Sequence, residues 1–238
     1  TRTLAYDATG AIVGFSHSGA GSTSALNQSF TYDDLGRLTL ANIGSTSTQY
    51  SYDLNGNRTA KTIGAATYAT TIAPTSNRIT QSQDVGGTSA VQYDAAGNVT
   101  SDGIASYTYS DRGRLASLTT PAGTFSYRYN ALEQRTFKSG PSSVIPTGQA
   151  YFVYDEVGRL LGEYDANQNP IYETFYLDDL PVALIKQSGS AGSGNVQATP
   201  YNVYADHLAT PRVVTRASDE TPVWRWDSAE AFGASAPD

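Results

Sequence analysis

The pattern Tyr-Asp-x-x-Gly followed by Arg or Asn recurs in order along this chain, which restricts the fold to an array of like units. The fullest copy lies within Tyr151 to Asp165. Tyr151 to Tyr154 is aromatic and β-branched, as a half-buried strand should be, and Leu160 to Tyr164 resumes that character. Between them, Asp155 suits a first turn position, where its carboxylate accepts backbone N–H groups just ahead. Gly158 suits the left-handed position that returns the chain. The unit is a β-hairpin.

Near-copies stand at Tyr32-Asp33 with Gly36-Arg37, Tyr52-Asp53 with Gly56-Asn57, Tyr93-Asp94 with Gly97-Asn98 and Tyr154-Asp155 with Gly158-Arg159. Looser copies begin at Tyr6, Tyr109, Tyr129 and Tyr164. Motif tyrosines at positions 32, 52, 93, 109 and 129 set a period of about 20 residues. The double gap before Tyr93 hides one degenerate copy, marked by Asn77-Arg78-Ile79. Alternation with period two is plain at Phe125, Tyr127 and Tyr129 against Thr124, Ser126 and Arg128, so the sheet has two unlike faces. The expected fold is all-β: one continuous antiparallel ribbon of about ten hairpins. Ser16 to Ala25, Pro141 to Gly148 and the low-complexity stretch 188–195 read as loops, the last a flexible one. Asp227 to Phe232 is the best short helical candidate.

Charged residues make up 16% of the chain, against roughly 25% in a typical globular domain, and Tyr, Ser, Thr and Gly take their place. The net charge of -7 is spread through turn aspartates, which argues against a nucleic-acid surface. With no cysteine there is neither a disulfide framework nor a thiolate metal site. No apolar run is long enough to insert as a membrane helix. A start at Thr1 in mid-pattern suggests a fragment of a longer chain.

Tyr176 to Ala183 keeps the strand-turn-strand logic without the turn glycine, and Tyr204 to Arg212 reads as a different motif, containing Asp206, His207, Pro211 and Arg212. The near-copies resemble the YD repeats of the rearrangement hotspot (RHS) family. Tyr204 to Arg212, followed by Val223 to Asp227 and Phe232-Gly233, resembles the end region of an RHS core. The resemblance implies a segment of a spiralling β-shell, with repeats over residues 1–175 and the core's end region over 176–238, continuous with them. It further implies a structural, non-catalytic role in enclosing a toxin domain, secreted or delivered outside a bacterial cell. The implied partners are the remainder of the RHS core, the toxin, and a secretion-system spike or carrier. Toxin release in this family uses aspartates near a Pro-x-x-x-x-Asp-Pro-x-Gly-type motif; none occurs before Asp238, so no residue here is assigned to it.

No catalytic, cofactor or metal site is expected. Asp206-His207 evokes a hydrolytic triad, but adjacent strand residues face opposite sides, and His207 is better read as a hydrogen-bonded wall residue. His17 and His207 fall short of a zinc set, and Asp53, Asn55 and Asn57 lack the spacing and terminal Glu of a calcium loop. The triplets at Asn27, Asn57 and Asn98 are sequons by turn composition. Arg37, Arg114 and Arg159 are placed to pair with a neighbouring turn's aspartate. The tyrosines are expected to cover the sheet, the alternative being an extracellular adhesive or carbohydrate-binding module in which they stack on sugar rings. About 20 strands at roughly 4.8 Å give a ribbon on the order of 100 Å, too short to ring a 100-residue cargo, so an arc with open sheet edges is expected.

Overall fold

In the computed structural model the described residues are 2–18, 24–188, 197–226, 230–233 and 235–237. The chain is all-β and antiparallel, with no α-helix among them. The first sheet contains β1 (Arg2–Tyr6), β2 (Ile12–His17), β3 (Gln28–Tyr32), β4 (Leu38–Ile43), β5 (Thr46–Tyr52), β6 (Arg58–Ile63), β7 (Ala66–Ile72), β8 (Ile79–Asp84) and β9 (Gly87–Ala90). The second opens with β10 (Gln92–Tyr93), β11 (Val99–Ser101), β12 (Ser106–Tyr109), β13 (Leu115–Thr120), β14 (Gly123–Tyr129), β15 (Arg135–Ser139) and β16 (Gln149–Tyr154). It continues with β17 (Leu160–Asp165), β18 (Pro170–Leu177), β19 (Leu180–Ser188), β20 (Gln197–Ala205), β21 (Pro211–Arg216) and β22 (Pro222–Arg225). Strand order follows chain order in both sheets, as a meander of hairpins requires.

The ribbon of hairpins is divided into two sheets, both in chain order. The ladder from β8 ends at the pair Gln81 and Ala90, and the second sheet begins two residues later at Gln92. The chain divides into two compact units, residues 1–93 with 228–236 and residues 94–227 with 237–238. Position 175 falls inside β18, within the second sheet.

Hairpin ends alternate between two constructions. One end carries the Tyr-Asp turns, that of Tyr164-Asp165 excepted. The other closes tightly, as between β4 and β5, where Ile43 pairs with Thr46 across Gly44-Ser45, and between β6 and β7, where Ile63 pairs with Ala66. Gly44 has φ +58, a value that a β-branched side chain resists. β2 runs on to His17, past the expected loop start at Ser16. The stretch 188–195 lies outside the described residues apart from Ser188, which ends β19. Of the helical candidate, 227–229 lie outside them as well, while Ala231 and Phe232 form a turn closed by the Gly233 N–H on the Glu230 carbonyl.

The core is thin. Ala41, Tyr50, Ala105, Ile145, Ala150, Phe152, Val203 and Val214 are its buried apolar residues, and no large side chain among the described residues is fully buried. Cationic stems cover many of the rings on these sheets. At least eleven of the fifteen lysines and arginines lie over an aromatic ring, with Arg2 3.7 Å from the Phe15 centroid and Arg135 4.6 Å from Phe152. In the first unit the segment after Ser228 also covers Tyr50. Glu230 accepts the Tyr50 phenol, Phe232 packs edge-on at 4.9 Å, and Arg58 sits 4.4 Å over the Phe232 ring.

Candidate functional site

Among the described residues nine turns share one geometry. At residues 7, 33, 53, 94, 110, 130, 155, 165 and 206 the first N–H donates to the carbonyl four residues on, and the fourth residue's N–H donates back to the first carbonyl. The first side chain then fixes the loop from inside. Asp33 Oδ1 accepts the Leu35 and Arg37 N–H groups at 3.0 and 2.9 Å, and Asp53 Oδ1 accepts those of Asn55 and Asn57 at 2.9 and 2.8 Å. Asp155 does the same with Val157 and Arg159 at 3.1 and 2.8 Å. The Asp94 Oδ1 accepts the Asn98 N–H at 2.8 Å. The second oxygen takes the side chain at the turn's exit: Arg37 at 2.7 Å, Asn57 at 2.8 Å, Asn98 at 2.9 Å and Arg159 at 2.7 Å. Gly36, Gly56, Gly97 and Gly158 hold φ of +74, +86, +92 and +93.

These bonds hold the turn carboxylates below the usual aspartate range. For Asp33 the Arg37 N–H is the main cause, and for Asp53 and Asp94 the exit asparagine amide. For Asp155 desolvation pushes upward, and the Arg159 bonds outweigh it.

At seven of these hairpins the tyrosine at the end of the incoming strand acts on the previous hairpin. Tyr32 donates its phenol to the Ile12 carbonyl at 2.7 Å, Tyr52 to Leu38 at 2.7 Å and Tyr93 to Ile79 at 2.9 Å. In the second unit Tyr109 reaches Val99, Tyr129 Leu115, Tyr154 Arg135 and Tyr176 Leu160, at 2.9, 3.1, 2.9 and 3.0 Å. The accepting carbonyl always belongs to the first residue of the previous hairpin's outgoing strand. There the ladder to the next strand has not begun: β4 meets β5 only from Leu40, and β13 meets β14 only from Ser117. The phenol therefore satisfies a carbonyl that strand pairing leaves open, and fills the wedge where the strands splay.

Arginine links forward. Arg37 Nη1 donates to the Asp53 carbonyl of the next turn at 3.0 Å while its guanidinium lies 5.0 Å from the Tyr52 ring. Arg159 likewise reaches the Asp178 carbonyl and covers Tyr176 at 5.4 Å. The expected pairing with a neighbouring turn's aspartate holds only in part: the short ion pair is with the turn's own Asp33 or Asp155 at 2.7 Å, Arg159 adds a longer one to Asp179 of the next turn at 3.8 Å, and Arg37 meets the next turn through the Asp53 backbone. Arg114 differs. Its turn begins with Ser110, and it pairs with Glu133 of the next turn at 3.0 Å.

The stretch 204–212 is the same turn in disguise, not a different motif. Asp206 Oδ1 accepts the Leu208 and Thr210 N–H groups at 2.9 and 3.1 Å, and Arg212 reaches Oδ2 at 2.8 Å. Ala205 stands at the tyrosine position, paired with Pro211, and Ala209 at the glycine position with φ +58. Arg212 then covers Trp226 at 5.2 Å, as Arg37 covers Tyr52. His207, expected as a hydrogen-bonded wall residue, is exposed at the second turn position. The degenerate copy at Asn77-Arg78 is also a turn, one residue longer, with the Ala73 N–H on the Arg78 carbonyl and Ile72 in place of tyrosine. Tyr164-Asp165 builds its turn at the opposite hairpin end, so Tyr164 bonds Glu173 at 2.6 Å instead of a previous carbonyl.

A family model described as Teneurin YD-shell matches residues 1–215. No curated protein matches the chain. Among solved structures, TcdB2-TccC3-TEV is 14% identical over 94% of this chain and 17% of its own, with a TM-score of 0.37. TcdB2-TccC3 without its hypervariable C-terminal region is 12% identical over 94% and 17%, with a TM-score of 0.38. The Photorhabdus luminescens Tc holotoxin pore with a TccC3 substitution is 14% identical over 98% and 16%, with a TM-score of 0.32. The chain therefore spans about one sixth of the length of these structures.

Proposed function

Since this chain belongs to the teneurin YD-shell family, we propose that it is a wall segment of a β-shell that encloses a C-terminal toxin domain for delivery outside a bacterial cell. Within that reading residues 1–175 supply the regular repeats and 176–238 the end region of the core. The turn residues named above are structural, and the segment performs no catalysis. Its partners are the rest of its own core, the cargo, and a spike or carrier of a secretion system.

The observation that carries the reading is the two-way clasp between successive hairpins, tyrosine backward and arginine forward. An enzyme needs converging reactive groups around a cleft. Here the chemistry-bearing residues are spread at regular intervals and engaged with backbone, which supports a wall. No helix among the described residues is long and apolar enough to cross a membrane.

Limited proteolysis of the complete gene product tests the enclosure. A downstream domain that resists protease until the shell is opened by Tyr52→Ala with Tyr154→Ala supports it. A downstream domain cut equally fast in both proteins overturns it.

A further inference from the structure

The arginine-on-tyrosine stack fails at three consecutive turns of the second sheet, from Asp94, Ser110 and Asn130, and an open cleft stands at the first two. At the turn from Asp94 the exit residue is Asn98, too short to cover Tyr109. At the next, Ser110 offers no carboxylate, so Arg114 leaves its own turn and, with Arg112, grips Glu133 at 3.0 and 2.7 Å. Among the described residues no cation lies over Tyr109 or Tyr129. By contrast Tyr52, Tyr93, Tyr176 and Trp226 are each covered by the preceding arginine.

The two clefts flank the same turn, 110–113, and their linings differ. One, of about 630 Å³, has Tyr127 and Tyr129 with Arg112, Arg114 and Glu133. The other, of about 450 Å³, has Tyr109 with Asp94, Asn98, Thr100 and Thr108, and Asp111 lines both. A tyrosine face beside two guanidiniums suits a flat apolar ring face that carries a carboxylate, since arginine pairs with carboxylate through charge-assisted bonds. Amide, hydroxyl and carboxylate acceptors beside a second tyrosine suit a neutral, hydroxyl-rich ring. Glu133 already shows the arginine pair holding a carboxylate, and it does so from a backbone at φ +63, where a non-glycine residue is strained.

We propose that the paired clefts bind an acidic polysaccharide, a uronate residue entering the Arg112 and Arg114 side and its neutral neighbour the Asn98 and Thr108 side. The uronate carboxylate displaces Glu133 from the guanidiniums, and its ring stacks over the tyrosine that Arg114 leaves bare. This site is independent of the wall reading: a shell segment or a free module can carry it.

The test uses the complete 238-residue chain and a tetrasaccharide of alternating glucuronate and N-acetylhexosamine, with its carboxyl-reduced neutral form as control, titrated by calorimetry. The acidic sugar is expected to bind at least about tenfold more tightly than the neutral one, the loss that one charge-assisted bond implies. Ser110→Asp restores the carboxylate that holds Arg114 in its own turn, so it should close the cleft and weaken binding by at least about tenfold while the melting temperature holds or rises. Arg114→Gln should weaken binding similarly without the stability gain. Equal affinity for the two sugars, unchanged binding by Ser110→Asp, or no heat at millimolar sugar with a folded chain each overturns the proposal.

Discussion

Each motif residue is set by a backbone group that it must satisfy. Tyr52 exists to reach the Leu38 carbonyl, so Tyr52→Phe keeps the ring and leaves that carbonyl open. The expected loss is about 1 to 2 kcal/mol in urea unfolding, against a few tenths for Tyr68→Phe, whose ring serves as a seat for Lys61. Equal losses for the two would show that the phenol contributes nothing. At the glycine position the sign of a substitution depends on what the chain now holds there. Gly158→Val forces a β-branched residue to φ +93 and should cost more than Val157→Ala, which truncates an exposed side chain. Ala209→Gly runs the other way: it relieves an alanine at φ +58 and should raise stability by up to about 1 kcal/mol, net of the glycine's greater unfolded freedom. The four near-copies were readable in the sequence because aspartate and glycine at fixed spacing have few other uses. The turn from Asp206 was not, because Ala205 and Ala209 keep its hydrogen bonds while erasing both the tyrosine and the glycine. Nor does a sequence show that the phenol acts on the previous hairpin, since the open carbonyl appears only once the strands splay.

At the scale of the hairpin, what matters is how one turn holds the next. Arg37 serves three groups at once: the Asp33 carboxylate, the Asp53 carbonyl and the Tyr52 ring. Arg37→Ala should therefore cost about 1.5 to 3 kcal/mol, the scale of a charge-assisted hydrogen bond with its ring contact. Arg216→Ala, which removes an exposed pair with Asp219, should cost no more than about 0.5 kcal/mol. The turn carboxylates also make the hairpins acid-labile. Their folded pKa values lie below the unfolded ones, for Asp33 chiefly through the Arg37 N–H and for Asp53 through the Asn57 amide. A depressed carboxylate contributes stability above its unfolded pKa and loses it as pH falls through the folded value. The melting temperature should thus be level from neutral pH down to about 5 and drop below about 4. A melting temperature at pH 2.5 equal to that at pH 7 would show that these carboxylates do not hold the turns.

Over the whole molecule the clasps explain internal cohesion and leave the sheet ends unanswered. β1 and β9 end the first sheet and β10 and β22 the second, each with a partner on one side only. β22 is only four residues long and opens with Pro222, which cannot donate to a further strand. β1 has no such protection: Thr3 and Ala5 are exposed, and no proline or acidic residue interrupts Arg2–Tyr6. An open edge of this kind recruits another strand, from the remainder of a shell when present and from a second copy when not. The 238-residue chain should accordingly self-associate as concentration rises, and Thr3→Lys with Ala5→Lys should suppress it by placing like charges along the edge. Light scattering across a hundredfold concentration range, with amide exchange read on β1, decides the matter. A monomer throughout, with β1 amides as protected as those of β5, would mean that the edge is covered within the chain itself.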